Sequence, residues 1–267
     1  MQPESRLYDT ILKLLADAPW QDRRHLAAVS WMVVGLLSSG WIALSEWTAF
    51  VVGRAQYERR FQRWLSNPRI DVLQLYSSML RNVLVTLEER RLLVALDTTM
   101  LWNTFCVVQL SLVYRGRAIP LVWKVMKHAS ASVAFRDYRG VLEFAVRMLK
   151  GYEVVLLADR GFMHGDLLRW HQRQTDWHLC IRCKRDVGLF EKTCRGYRAL
   201  TLRVSPGEVC YIHNFYVTAA HLPVHIAVGW EKGAKEPWII VSDQPTGHET
   251  LYEYGRRFTI EENVFGS

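Results

Sequence analysis

The chain has 267 residues, half of them apolar, and a formal net charge of +8. That is enough material for one large core or two smaller ones, and the positive balance favours a polyanionic partner, although charge alone does not identify one. Five cysteines, an odd number, with no signal peptide ahead of them, argue against a disulfide framework and for a reducing cytoplasm.

Residues 1–90 carry helical patterning throughout. Leu7 to Ala16 form a first predicted helix. The apolar stretch from Leu26 to Leu44 is interrupted by Ser30, Gly35, Ser38, Ser39 and Gly40. The break at SSG splits it into two helices about a tight turn, each too short to cross a bilayer, so no membrane partner is expected. In RAQYERRFQRWL, Tyr57, Phe61, Trp64 and Leu65 fall on one helical face while Arg59, Arg60 and Arg63 gather on another. Asn67-Pro68 ends that helix, because proline disfavours helical geometry in the residue before it. Asp71 suits the amino-terminal cap of a further helix running to about Glu89. The arginine face predicts contact with DNA phosphates, and the helix-turn-helix look of residues 26–52 predicts a reader in a groove. An ordinary solvated arginine face on a helical bundle is the bland alternative.

The texture changes at residue 91. LLVALD is apolar on both faces, as a central strand covered on two sides must be. FCVVQLSLVY and IPLVWKV follow as a strand pair joined by the turn RGRA. Residues 134–150 have helical periodicity and stop at Gly151. VVLLAD is again a buried strand, RGF turns the chain, HGDLLRWHQRQ is a short helix and WHLCIRCK one more strand. Cys180 and Cys183 form a CxxC pair inside that last strand-like run, where buried thiols are a better reading than a zinc knuckle. Residues 187–236 alternate in short runs separated by Pro and Gly, and are expected to form a β-rich insertion. WIIVSD then returns to the core, and TGHETLYEYGRRFTIEEN is a predicted helix. Three strands, a crossover helix, a strand, a helix and a strand make an α/β fold on the ribonuclease H-like plan: a mixed sheet with flanking helices, split into 91–186 and 237–267 around the insertion, behind an all-α domain at 1–90.

That order brings the ends of the first and fourth strands side by side, so Asp97 and Asp159 are expected to face one site, with Glu261 supplied by the last helix. Phosphodiesters resist attack because nucleophile and substrate are both negative, and two divalent ions about 3.5–4 Å apart relieve that repulsion on both sides of the bond. Carboxylate oxygens suit Mg²⁺ or Mn²⁺, whereas three gathered carboxylates without a cation would repel one another. Each acid alone has an ordinary explanation as a turn or cap residue; Asp243, at the end of WIIVSD, is a weaker candidate that looks like a turn residue. The joint placement carries the expectation.

LDTT around Asp97, ADRGF around Asp159, and the spacing of Tyr254, Arg257 and Glu261 resemble the DDE transposases of bacterial insertion sequences, in particular the branch with a Y-x2-R-x3-E-x6-K signature. The similarity spans residues 91–263. It implies Asp97, Asp159 and Glu261 as ligands of two Mg²⁺ or Mn²⁺ ions, strand cleavage at element ends, and attack of the freed 3′-hydroxyl on target DNA. It further implies that Tyr254 and Arg257 contact DNA phosphate, that the partner is double-stranded DNA bound by a homodimer, and that the protein works in the bacterial cytoplasm at the nucleoid; Arg160, directly after Asp159, is placed to reach a phosphate as well. Trp230 of the insertion has the ring to stack on an extruded base, but among eleven tryptophans core packing is the better assignment. The signature lysine would fall at 268, one past Ser267, and Val264 and Gly266 stand where the family tends to have phenylalanine and an acid. A copy cut or frame-shifted after Asn263 is therefore expected, with a catalytically inactive DNA-binding remnant, or a ribonuclease H-like nuclease that does not join strands, as alternatives.

Overall fold

The structure, a computed structural model, describes residues 3–51, 56–193, 195–218 and 221–258. It divides after Leu87 into two compact units.

Among its described residues the first unit is helical: α1 (Pro3–Leu15), α2 (Arg23–Ser39), α3 (Leu44–Trp47), α4 (Tyr57–Leu65) and α5 (Val72–Val85). α1 begins before the expected Leu7, at a proline, which costs no hydrogen bond in a first turn. Asp22 and Asp71 cap α2 and α5 by accepting from Arg24 N (2.8 Å) and Gln74 N (2.9 Å). Gly40, at φ 69°, closes α2 in the left-handed conformation and donates to Leu36 O. Beyond it the chain bends by 97°, and no single helix of the described residues is long and apolar enough to cross a membrane. The expected second helix of a helix-turn-helix is only the four residues of α3 followed by a 3₁₀ turn at Thr48–Phe50, too short to lie along a groove. Close packing explains the bend: a Cβ on Gly35 would lie 2.4 Å from Trp47 Cβ. Trp31, Val34, Trp47, Phe61 and Trp64 are buried together.

In the second unit the strands of the described residues form one ten-stranded sheet of order β3-β2-β1-β4-β5-β10-β9-β8-β6-β7. β1 (Arg91–Leu101), β2 (Phe105–Tyr114) and β3 (Arg117–Lys127) form an antiparallel meander. Arg115 and Gly116, both at positive φ (48° and 72°), make the two-residue β2–β3 turn whose twist suits a hairpin. α6 (Phe135–Met148) returns the chain to β4 (Glu153–Ala158), parallel to β1, and α7 (Gly165–Gln174) leads to β5 (His178–Arg182), parallel to β4. The run 3-2-1-4-5 with this polarity is the ribonuclease H-like order. β10 (Trp238–Ser242) pairs antiparallel with β5. The residues expected as an insertion form β6 (Gly188–Phe190), β7 (Gly196–Arg198), β8 (Val209–Val217) and β9 (Leu222–Gly229), and they extend the same sheet outward from β10. α8 (His248–Gly255) follows.

Alternation along β1 covers both faces of the sheet, as its unbroken apolar run requires. Leu93 and Ala95 join Val155, Leu157, Ile240 and Tyr254 of α8 in one buried cluster, while Leu92, Val94 and Leu96 are buried on the other face. Arg91 fixes α8 to the start of β1 and β4 by binding Glu253 (3.0 Å) and Glu153.

Candidate active site

β1 does not end at Asp97; it runs on to Leu101 in antiparallel pairing with β2. Its parallel pairing with β4 stops earlier, at Leu96 with Ala158, and Ala158 pairs in turn with Ile181 of β5. The next residues along the three strands are Asp97, Asp159 and Arg182. They form a polar row across the carboxyl ends of β4 and β5 and the adjoining middle of β1, with neighbouring strands about 4.8 Å apart. By the two-residue alternation of β1, Asp97 shares the face of Leu93 and Ala95, the face on which α8 packs.

The two aspartates are held differently. Asp97, with a side chain 20% exposed, faces the buried guanidinium of Arg257, Nη1 to Oδ1 at 3.5 Å. Arg257 lies in a 3₁₀ turn, Arg256–Phe258, that continues α8, and its guanidinium stacks over the Phe258 ring at 4.8 Å. Asp159 opens another 3₁₀ turn, Arg160–Phe162, and accepts from Gly161 N at 2.7 Å. A Cβ at Gly161 would stand 2.9 Å from Asp159 Oδ1, so the turn closes this tightly only without a side chain there. Phe162 is buried edge-on against Tyr138 at 5.4 Å, and the Tyr138 hydroxyl meets His164 Nε2 at 2.8 Å. Within ADRGF, then, Ala158 ends the strand, Asp159 supplies the carboxylate, Arg160 an exposed cation, Gly161 the close approach and Phe162 the anchor.

Arg160 points outward, 53% exposed, and pairs with Glu236 at 3.1 Å. Arg182 binds the same Glu236 oxygen at 2.7 Å. Neither Arg182 nor Glu236 stands out in the sequence: the strand register that puts Arg182 beside Asp159, and the loop that brings Glu236 to it, are long-range facts. Tyr254 is fully buried, so in this conformation its hydroxyl reaches no phosphate in solvent, and the ring packs against Trp238 at 5.3 Å. Burial pushes its phenol up to about 12, with Arg257, which lies over the ring at 6.0 Å, and Arg182 opposing that shift and Asp159 reinforcing it. Glu261 lies outside the described residues. Among the described residues no three His, Cys, Asp or Glu side chains converge to hold a metal ion. Asp97 and Asp159 supply two sets of hard oxygen donors that fit Mg²⁺ or Mn²⁺, and the third expected ligand is Glu261.

The sequence matches no protein-family model and no curated protein. Among solved structures, a piggyBac transposase synaptic complex with hairpin DNA is similar with a TM-score of 0.47 at 9% identity, over 96% of this chain and 64% of that one. The chain thus spans a little under two thirds of that protein's length. The Marinitoga piezophila Argonaute in complex with 5′ OH guide RNA and target DNA is similar with a TM-score of 0.30 at 10% identity, over 71% of this chain and 30% of that one. The ribonuclease H-like assignment rests on the strand order and polarity given above.

The remaining residues that the sequence brings forward lie elsewhere. Arg59 and Arg63 are exposed on α4, opposite the buried Phe61 and Trp64, while Arg60 donates to Arg24 O (3.1 Å) and lies over Tyr57. Cys180 and Cys183 are buried, and burial pushes the Cys183 thiol up to about 12, far from the thiolate that metal binding needs. Asp243 accepts from Leu179 N (2.6 Å) and meets His178 at 3.1 Å, a structural tie between β10 and β5.

Proposed function

We propose that this chain is a DDE-type DNA transposase of an insertion sequence, acting on double-stranded DNA by metal-dependent cleavage and 3′-hydroxyl strand transfer. The observation that carries this reading is the register of Asp97 beside Asp159 on adjacent parallel strands of a ribonuclease H-ordered sheet. Asp97, Asp159 and Glu261 would hold divalent ions, which when bound would supply the positive charge that phosphoryl transfer needs. The chain's own groups do the rest. Arg257 fixes the Asp97 carboxylate, Gly161 N–H fixes that of Asp159, and Arg160 and Arg182 offer guanidinium forks to a phosphodiester once Glu236 is displaced. Joining two element ends implies two active sites, hence a homodimer on DNA.

The test is incubation of the purified chain with duplex DNA carrying the inverted repeats that flank its gene, with Mn²⁺ or Mg²⁺ present. Nicking at the repeat ends followed by joined products is expected, and Asp97→Asn or Asp159→Asn should abolish both, a loss of roughly a thousandfold or more. Nicking that survives Asp97→Asn would refute the assignment. Cleavage without joining would leave a nuclease.

A further inference from the structure

Beyond the acid row, the second unit holds a pocket of about 310 Å³ whose rim carries Arg185, Arg203 and Lys235 and whose wall includes Trp230, Leu202 and Glu236. The three cations come from separate segments: Arg185 follows β5, Arg203 follows the 3₁₀ turn Ala199–Thr201, and Lys235 lies between β9 and β10. This is no charge run along one exposed face; folding gathers them. All three are exposed, and none forms an ion pair with a described residue. Among the described residues lining the pocket the one carboxylate is Glu236, already shared by Arg160 and Arg182, so it leaves their charge unbalanced. Like charges brought together raise the local potential and attract an anion.

We infer that this pocket binds a backbone phosphate of the nucleic acid, away from the bond being broken. The inference rests on the reading of the chain as a nucleic-acid enzyme. A polymer is favoured over a free anion because Glu236 joins the pocket to Arg160 and Arg182, making one cationic lane from Lys235 to Asp159. The apolar wall of Trp230 and Leu202 suits the sugar between successive phosphates and offers nothing to a bare hydrated anion.

The full chain in EDTA, where no cleavage occurs, is titrated against fluorescein-labelled duplex DNA and its single strand over a range of salt concentrations. Replacing Arg185, Arg203 and Lys235 together by alanine should weaken binding about tenfold at low salt and flatten the plot of log affinity against log salt by about one for each phosphate no longer neutralised. Arg203→Lys should keep the native slope. Lys235→Ala alone, at an exposed position that folding tolerates, should flatten it in part. A folded triple variant with the native slope overturns this inference while leaving the proposed activity standing, as does weaker binding with an unchanged slope. A native chain that binds neither probe overturns both.

Discussion

The two aspartates of the candidate site are neighbours in register yet are supported by opposite means. Asp159 is positioned by its own turn, through a backbone N–H two residues on and a glycine that permits the approach. Asp97 sits inside a strand and depends on Arg257, 160 residues away in sequence. A locally held carboxylate survives fraying elsewhere, whereas one held by a distant partner reports on whether α8 and the turn after it are docked. That difference can be broken from either side.

The largest effect is expected at Arg257. Its guanidinium is buried, and removing it leaves Asp97, four-fifths buried, without that counterion. Arg257→Ala should cost about 2–4 kcal/mol of stability, the lower end reflecting the 3.5 Å separation and the partial exposure of Asp97. Arg257→Lys should restore only part, because an ammonium cannot both stack on Phe258 and fork toward Asp97. Thermal melts of the three proteins check this; a melting temperature for Arg257→Ala within a degree or so of native would show that the pair contributes nothing.

Gly161→Ala attacks the other support. The added Cβ must push Asp159 Oδ1 aside or open the turn, and either lengthens the hydrogen bond to the residue 161 N–H. A loss of about 1–2 kcal/mol is expected, with metal-dependent cleavage falling about tenfold or more. In the double variant with Arg257→Ala, the aspartates on adjacent strands are close enough to couple, so the departure from additive stability measures how far the two supports depend on each other.

Glu236→Gln should act in the opposite direction. The pairs it makes are partly exposed and contribute only about 0.2–1 kcal/mol, so melting should barely change. DNA affinity should rise a few-fold at low salt, because Arg160 and Arg182 no longer hold an internal anion. Unchanged or weaker binding would mean that Glu236 orders the two arginines instead of occupying them.

How much of the molecule is legible in the sequence follows the same division. The local support is: ADRGF announces a strand end, a tight turn and an anchor within five residues, and the apolar runs mark β1, β4 and β10. The cap residue Asp71 likewise acts within a few residues of itself, and Gly151, at φ 92°, lies in the turn just after α6, whose cap is Leu149. What depends on pairing is not. The continuation of β1 past Asp97 is set by β2, and the second helix after Gly40 shrinks to one turn because Gly35 admits Trp47 so closely. Arg182 and Glu236 enter the site only through the β4–β5–β10 register. The four strands after β5 read as a β-rich insertion, and period-2 runs do not say what such strands pair with; through β9 they join β10 and continue the same sheet.

The smallest effect separates the two supports by acidity. His164 follows the Asp159 turn and meets the hydroxyl of Tyr138, the ring against which Phe162 packs, and burial holds its imidazole below the ordinary value, as it does for His171 on α7. In the unfolded chain both take up a proton near pH 6.5. The folded chain resists until lower pH, so stability is whole above about pH 6.5 and is lost as pH falls from there toward the folded values, by no more than about 1.4 kcal/mol per pH unit for each group. Arg257 stays charged throughout, so the guanidinium side of the Asp97 pair adds nothing to this dependence. Melting temperatures at about pH 7.5 and about pH 5.5 should therefore differ less in His164→Gln than in the native chain, while Arg257→Lys should keep the full native difference. An equal drop in His164→Gln and native would place the acid sensitivity elsewhere and leave the turn at Asp159 indifferent to protons.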